Sequence, residues 1–168
     1  MGEPMRALTV RQPYAHMIAR CGKTTENRPK PVRYRGLIAV HAGAYSRWDQ
    51  AGADDPQCRR AWYEWAAALP HPNVTGPLRR EAIHLDFGAV IAVAVVAGCH
   101  DATYAEACSC SPWARPRSWH WELADVRPLT RPVPCRGMLG LWRLPDDVEK
   151  SVREQMGAQS KTSTEEEP

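Results

Sequence analysis

The sequence has no apolar run long enough to cross a bilayer as a helix, which takes ~18 to 20 residues. The longest, Gly88 to Gly98 (GAVIAVAVVAG), has 11 residues. Its N-terminal MGEPMRALTV also lacks the basic-then-apolar outline of a secretory signal. The expectation is a soluble, cytoplasmic protein with no membrane partner, whose six cysteines (Cys21, Cys58, Cys99, Cys108, Cys110, Cys135) are free thiols in a reducing compartment. There is no GxxxxGK[ST], GxGxxG, GxSxG or HExxH and no internal repeat, so nucleotide hydrolysis, Rossmann cofactors and the common hydrolase and metalloprotease schemes lose their usual signals. No cofactor is implied. Cys99-His100 followed by Cys108-x-Cys110 offers four zinc ligands in principle, but the spacing matches none of the usual C-x₂₋₄-C pairs. These are read as buried or incidental thiols, with no metal.

Acidic residues are scarce in the first 36 positions. Only Glu3 and Glu26 stand there against eight basic side chains, while the stretch from Asp146 onward holds seven acidic residues against three basic ones. The overall charge of +3 therefore divides into a body of +7 and a tail of −4, and a polyanion partner is the natural suspicion. A length of 168 residues suits one domain. Residues 1–145 are taken as that domain, 146–157 as a candidate terminal helix and 158–168 as a disordered acidic tail.

Arg11 to Gly43 carries most of the functional information. After a short strand, Ala7 to Val10, a helix is punctuated by Pro13 and by Gly22 as a left-handed cap. Tyr14, Met17, Ile18 and Cys21 make its buried face, His16 and Arg20 fall on the solvent side, and Arg11 and Gln12 sit at the positive N-terminal end. Lys23 to Arg28, closed by Pro29 and Pro31, is predicted to be extended, with Glu26 and Arg28 on one face and Thr25 and Asn27 on the other. A structural ion pair and an anion site are both open readings of Lys23, Glu26 and Arg28. The excess of Arg11, Arg33 and Arg35 nearby favours the second. A strand from Tyr34 to Gly43 ends at His41, whose place is either a hydrogen-bonding core edge or a site.

Asp55 and Pro56 start a second helix with an apolar stripe at Cys58, Trp62, Trp65 and Leu69, and His71 to Gly76 is a loop. Gly88 to Gly98 is a strand buried on both faces. Asp101 to Ser118 is a long irregular loop of the kind that covers sites. Trp119 to Leu123 is a strand with both tryptophans facing the core and His120 and Glu122 on the other side. Arg127 to Gly137 is proline-rich and irregular, and Leu139 to Leu144 is the last strand.

Five pieces in order, Arg11 to Ala15 (R-Q-P-Y-A), Gly22 to Arg28 (G-K-x-x-E-x-R), Tyr34 to Ala42 (Y-R-G-x-I-x-V-H-A), Trp121 to Leu123 (W-x-L) and Pro132 to Trp142, resemble the activating-signal-cointegrator homology (ASCH) domain. The resemblance implies an α+β fold, a small mixed or antiparallel β-barrel flanked by two or three helices and similar to the pseudouridine-synthase and archaeosine-transglycosylase (PUA) domain, with a cleft for RNA or a nucleotide-like ligand. Pattern reading alone leaves a small α+β sandwich equally open. The family includes RNA-binding modules, ribonucleases and amidohydrolases acting on an acylated cytidine. The last use a Lys, a Thr three residues later as nucleophile and a distant Glu. Here Lys23 is present, but Glu26 stands where that Thr would be.

The expected function is binding of RNA or another single-stranded or modified nucleic acid through Arg11, Gln12, Lys23, Glu26, Arg28, Arg33 and Arg35, with Trp113 stacking on an unpaired base and His120 nearby. The runner-up is a metal-independent ribonuclease or nucleoside-processing hydrolase in the same cleft, with Lys23 as the cation, Glu26 or His41 as base and His120 as acid. A third reading is an adaptor that meets an acidic protein surface.

Overall fold

The computed structural model describes residues 3–44, 54–68, 85–106 and 108–162. The chain runs β1 (Arg6–Val10), α1 (Tyr14–Arg20), β2 (Thr25–Arg28), β3 (Gly36–Ala42), α2 (Pro56–Ala67), β4 (Ala89–Ala102), β5 (Ser118–Pro134), β6 (Leu141–Arg143) and α3 (Asp146–Thr162). The strands form one mixed sheet in the order β2-β5-β4-β3-β1-β6, in which only β1 and β3 pair in parallel. The class is α+β, as expected, but the sheet is not closed, because its terminal strands β2 and β6 do not pair among the described residues. No described helix is long and apolar enough to cross a membrane.

The open sheet is nevertheless strongly curled. Four inter-strand steps of ~4.8 Å would set β2 about 19 Å from β1 if the sheet were flat, much farther than an arginine side chain reaches. Yet Nη2 of Arg28 on β2 donates to the carbonyl of Thr9 on β1 at 2.7 Å. Three register shifts between β4 and β5 provide the bending.

Strand alternation divides the core into two layers. Leu8, Val10, Ile38, Val40, Val96, Trp121 and Leu123 face α1, against Ala15, Ile18 and Ala19. Ala7, Ala39, Val90, Val93, Leu129 and Trp142 face the other way, against Val148 and Val152 of α3. A third cluster joins Met17 of α1 to Cys58, Ala61 and Trp62 of α2 and to Trp113 of the β4–β5 loop. Asp55 caps α2 as predicted, its carboxylate accepting from the Gln57 amide at 2.9 Å. The stripe residue Leu69 and the loop His71 to Gly76 lie outside the described residues.

Three expectations change. The proline-rich stretch from Arg127 is strand as far as Pro134, with Pro128 opposite Ala92 and Pro134 opposite Ala89. Proline is tolerated there because β2 accompanies β5 only along Trp119 to Glu122, so the later half of β5 has no strand on its outer side. Glutamines of α3 cover that edge instead: Gln155 bonds both the amide and the carbonyl of Arg131, and Gln159 donates to the Pro128 carbonyl. Helix α3 accordingly runs to Thr162, into residues expected to form a disordered tail, and 163–168 lie outside the described residues.

The third change concerns His16, which is not in solvent. Helix α2 covers it, with the rings of Trp62 and Trp65 at 5.3 and 4.9 Å. Burial, helped by nearby Arg20, pushes its imidazole down to about 4. The unfolded ring titrates near 6.5, so the folded state carries the neutral ring across the window between. Stability should be full above pH 6.5 and fall by up to about 3 kcal/mol as the pH drops from 6.5 to 4. A His16→Phe chain should lose most of that slope in urea unfolding followed across the window. An unchanged slope would mean that the ring is hydrated in the folded protein.

Candidate functional site

Gly22, at φ +68°, ends α1 in the left-handed region that glycine adopts freely, and the chain drops directly into β2. As an extended segment, β2 presents Glu26 and Arg28 together and Lys23 beside them. These three form a buried ionic cluster in which Lys23 is 2 % and Glu26 8 % exposed. Lys23 Nζ lies 2.7 Å from Glu26 Oε2 and also donates to the carbonyl of Thr25. Arg28 Nε stands 3.0 Å from Glu26 Oε1, and the guanidinium lies over the Trp121 ring at 5.8 Å. Burial by itself would raise the Glu26 carboxyl, but Lys23 and Arg28 outweigh it and hold the group below the usual carboxylate range. Glu26 is therefore ionised, with both oxygens engaged.

This cluster is the floor of a hollow of about 300 Å³ whose walls are Arg11, Tyr14, Asn27, Pro29 and Arg115. The outer wall comes from the β4–β5 loop. Asn27 fixes it by donating to the Trp113 carbonyl at 2.9 Å and accepting from the Arg115 amide at 2.9 Å. The Arg115 guanidinium pairs with Asp55 at the start of α2 and donates to the Tyr14 hydroxyl at 3.0 Å. Burial, opposed by Arg115, pushes the Tyr14 phenol up to about 12, so it stays protonated. Four cationic side chains and one carboxylate line the hollow, and two positive charges remain in excess even when Asp55 is included. A larger hollow of about 910 Å³, between the N-terminal segment and α3, is lined by charges of both signs, of which Arg143 pairs with Asp146 and Arg153 with Glu149.

The structure thus gathers Arg11, Lys23, Glu26 and Arg28 and leaves the other expected residues elsewhere. Gln12 is buried, its side chain accepting from the His16 amide and donating to the Asp86 carbonyl. That bond, with those from Ala15 and Met17 to Arg11 and Pro13, uses the amides at the start of α1 that were expected to face an anion. Arg33 and Arg35 are exposed outside the hollow, and Arg35 bonds the carbonyls of Val32 and Tyr34. His41 is 1 % exposed, bonded to the Cys135 carbonyl at 3.0 Å and set edge-on to Trp142, and burial holds its imidazole below the ordinary range. Trp113 belongs to the cluster with Met17 and Trp62 and has no free face for a base. His120 is fully buried, beside His100, Cys108 and Cys110. Tyr14, Asn27 and Arg115 were missed. The legible signal was the long loop, which placed Arg115 in a segment expected to cover a site.

No family model and no curated protein matches this sequence. Among solved structures, the chain is similar to a tyrosine-to-phenylalanine mutant of ZmASCH from Zymomonas mobilis, at 13 % identity over 90 % of this chain and 98 % of that one, with a TM-score of 0.49. The chemistry of the hollow rests on the residues themselves.

Removing Lys23 would leave a buried carboxylate short of its nearest partner. Lys23→Met should destabilise the protein by about 3 to 5 kcal/mol, and adding Glu26→Leu to it should restore part of the loss, since the buried carboxylate is then gone and the partly exposed Arg28 keeps the Thr9 carbonyl. A double-mutant cycle by urea denaturation measures this. Equal stability of wild type and Lys23→Met would mean that the pair does not hold the floor.

Proposed function

We propose that this protein binds single-stranded RNA or a similar unpaired nucleic acid, seating one nucleotide in the hollow between β2, α1 and the β4–β5 loop. The observation that carries the reading is the excess of cations around a concave space of about 300 Å³, at the lower end of volumes that hold small ligands. Arg11 and Arg115 stand at its rim, exposed enough to reach a phosphate. Below them, Asn27, the neutral Tyr14 hydroxyl and the ionised Glu26 offer polar groups to a base or ribose.

Binding is favoured over cleavage because the expected proton-transfer groups are either engaged or elsewhere. Both oxygens of Glu26 are held by cations. His41 and His120, the expected base and acid, are buried outside the hollow. The acylcytidine chemistry fares no better, since Glu26 replaces the threonine and Thr25 is buried with its carbonyl bonded to Lys23.

Fluorescence anisotropy with a labelled single-stranded RNA should show binding. Arg11→Ala should weaken it about 5- to 20-fold and reduce the slope of log K against log[salt] by about 0.7, the loss of one phosphate contact, and Arg115→Ala should weaken it less, because Arg115 gives up its pair with Asp55 to bind. The RNA should be recovered intact. Absence of affinity for single-stranded RNA, single-stranded DNA and mononucleotides would overturn the reading in favour of a protein-binding adaptor. Cleavage abolished by Arg115→Ala would replace it with a nuclease.

A further inference from the structure

Away from the cationic hollow, four chemically matched side chains converge at the far end of the β4–β5 pair. His100 on β4 and His120 on β5 are direct cross-strand partners, so both project from the same face. The loop that joins the strands folds back over them with Cys108 and Cys110. One donor atom from each residue lies within 4.8 Å of every other. His120 Nδ1 is 3.3 Å from Cys110 Sγ, 3.7 Å from Cys108 Sγ and 3.1 Å from His100 Nε2, and the two sulfurs are 2.9 Å apart. A tetrahedral zinc shell has sulfur–sulfur edges of about 3.8 Å and nitrogen–nitrogen edges of about 3.3 Å, from bond lengths of ~2.3 and ~2.05 Å. To admit the ion the two sulfurs would part by about 0.9 Å, and the donors that lie farthest apart, within 4.8 Å, would close toward these edges.

The outer partners of the two histidines make the stronger argument. His120 Nε2 lies 2.7 Å from the carbonyl of Arg115, which only accepts, so Nε2 carries the proton and Nδ1 presents a lone pair to the cluster. His100 Nδ1 lies 2.7 Å from Glu122 Oε1, so its proton is held on that side and Nε2 presents its own lone pair. Two lone pairs 3.1 Å apart repel unless a cation stands between them. An additional proton on His100 would satisfy the imidazoles but would leave the two adjacent thiols unexplained. A metal ion uses all four. The pattern of a carboxylate on one ligating histidine and a backbone carbonyl on the other is the usual second layer of a zinc site. Gly98 makes room for it, since a Cβ there would come within 2.2 Å of the Glu122 carboxylate.

We propose that His100, Cys108, Cys110 and His120 bind one Zn²⁺ ion. Two thiolates and two neutral imidazoles balance its charge, the two thiol protons are released on binding, and the S₂N₂ set selects zinc by softness and geometry. All four positions are filled by protein, so the site is structural. It staples the β4–β5 loop to the strands beneath it, and through the His120–Arg115 bond it sets the height of the loop that walls the hollow. The metal site stands independently of any nucleic-acid binding.

Full-length protein produced with zinc supplied and purified under reducing conditions should contain about one equivalent of zinc by elemental analysis, falling about tenfold or more in Cys108→Ser and in Cys110→Ser. Cys99→Ser should keep its zinc, because Cys99 points to the opposite face of β4, where its sulfur accepts from the Val32 amide. Cobalt exchanged into the wild type should give the absorption of a tetrahedral site with thiolate charge-transfer bands, a readout that does not depend on how well the serine variants fold. Zinc below about a tenth of an equivalent in the reduced wild type, or zinc content indifferent to both serines, would overturn the proposal. So would a Cys108–Cys110 disulfide, seen as two protected thiols by alkylation and intact mass, in protein that takes up no cobalt.

Discussion

The structure depends on how one carboxylate, Glu26, is kept ionised out of water. Burying a charge costs several kcal/mol unless it is closely paired, and the chain supplies two partners from a stretch of six residues, Lys23 to Arg28. Lys23 approaches from the end of α1, and Arg28 lies one β-period beyond Glu26 on the same strand. This local solution has a distant consequence. While it pairs with Glu26 and lies over Trp121, Arg28 also bonds the Thr9 carbonyl through Nη2, and that bond exists only because the sheet bends far enough to bring β2 within reach of β1. The same curl makes the surface over β2 concave.

The outer half of the hollow is built from long-range contacts. Asn27 uses both ends of its amide on the β4–β5 loop, Arg115 crosses to Asp55, and Tyr14 lies between them. Asp55 thereby serves twice, capping α2 through one oxygen and receiving Arg115 on the other. The placement of Arg115 thus couples the loop, α1 and α2, and it is also the residue whose backbone carbonyl fixes the tautomer of His120.

What the sequence could reveal follows the same division between local and distant. Strand alternation was readable: the shared face of Glu26 and Arg28, the core-facing Trp119, Trp121 and Leu123, and the Asp55 cap depend on neighbours a few residues away. The side chains that changed meaning did so because a remote element covered them. His16 looked solvent-facing on a seven-residue helix until α2 packed over it. Trp113 looked available in a loop but fills the space between that helix and α1. His41 was recognised as standing at a strand end, and only the β5–β6 connection, through the Cys135 carbonyl, shows that the end is buried. The cysteine spacing did not disclose the cluster of His100, Cys108, Cys110 and His120 for a simple reason. Cys99 and His100 are adjacent on a strand, so they cannot face the same way. The fourth member of the cluster, His120, is instead supplied by cross-strand pairing, a relation that linear spacing does not encode.

Floor and rim of the hollow therefore have different physical characters, which bears on the proposed binding. The floor cations Lys23 and Arg28 are committed to Glu26 and to backbone carbonyls, so they contribute a fixed potential rather than a mobile hand. Arg11 is exposed and Arg115 is 55 % exposed, with a single carboxylate as counter-ion. An arriving phosphate competes with Asp55 for Arg115, exchanging one charge-assisted pair for another of similar strength. The net gain in that exchange is small for Arg115 alone. Selectivity for an unpaired nucleotide over a free phosphate must then come from groups the phosphate cannot reach, the Asn27 amide, the protonated Tyr14 hydroxyl and the floor carboxylate, which together form a polar surface behind the rim.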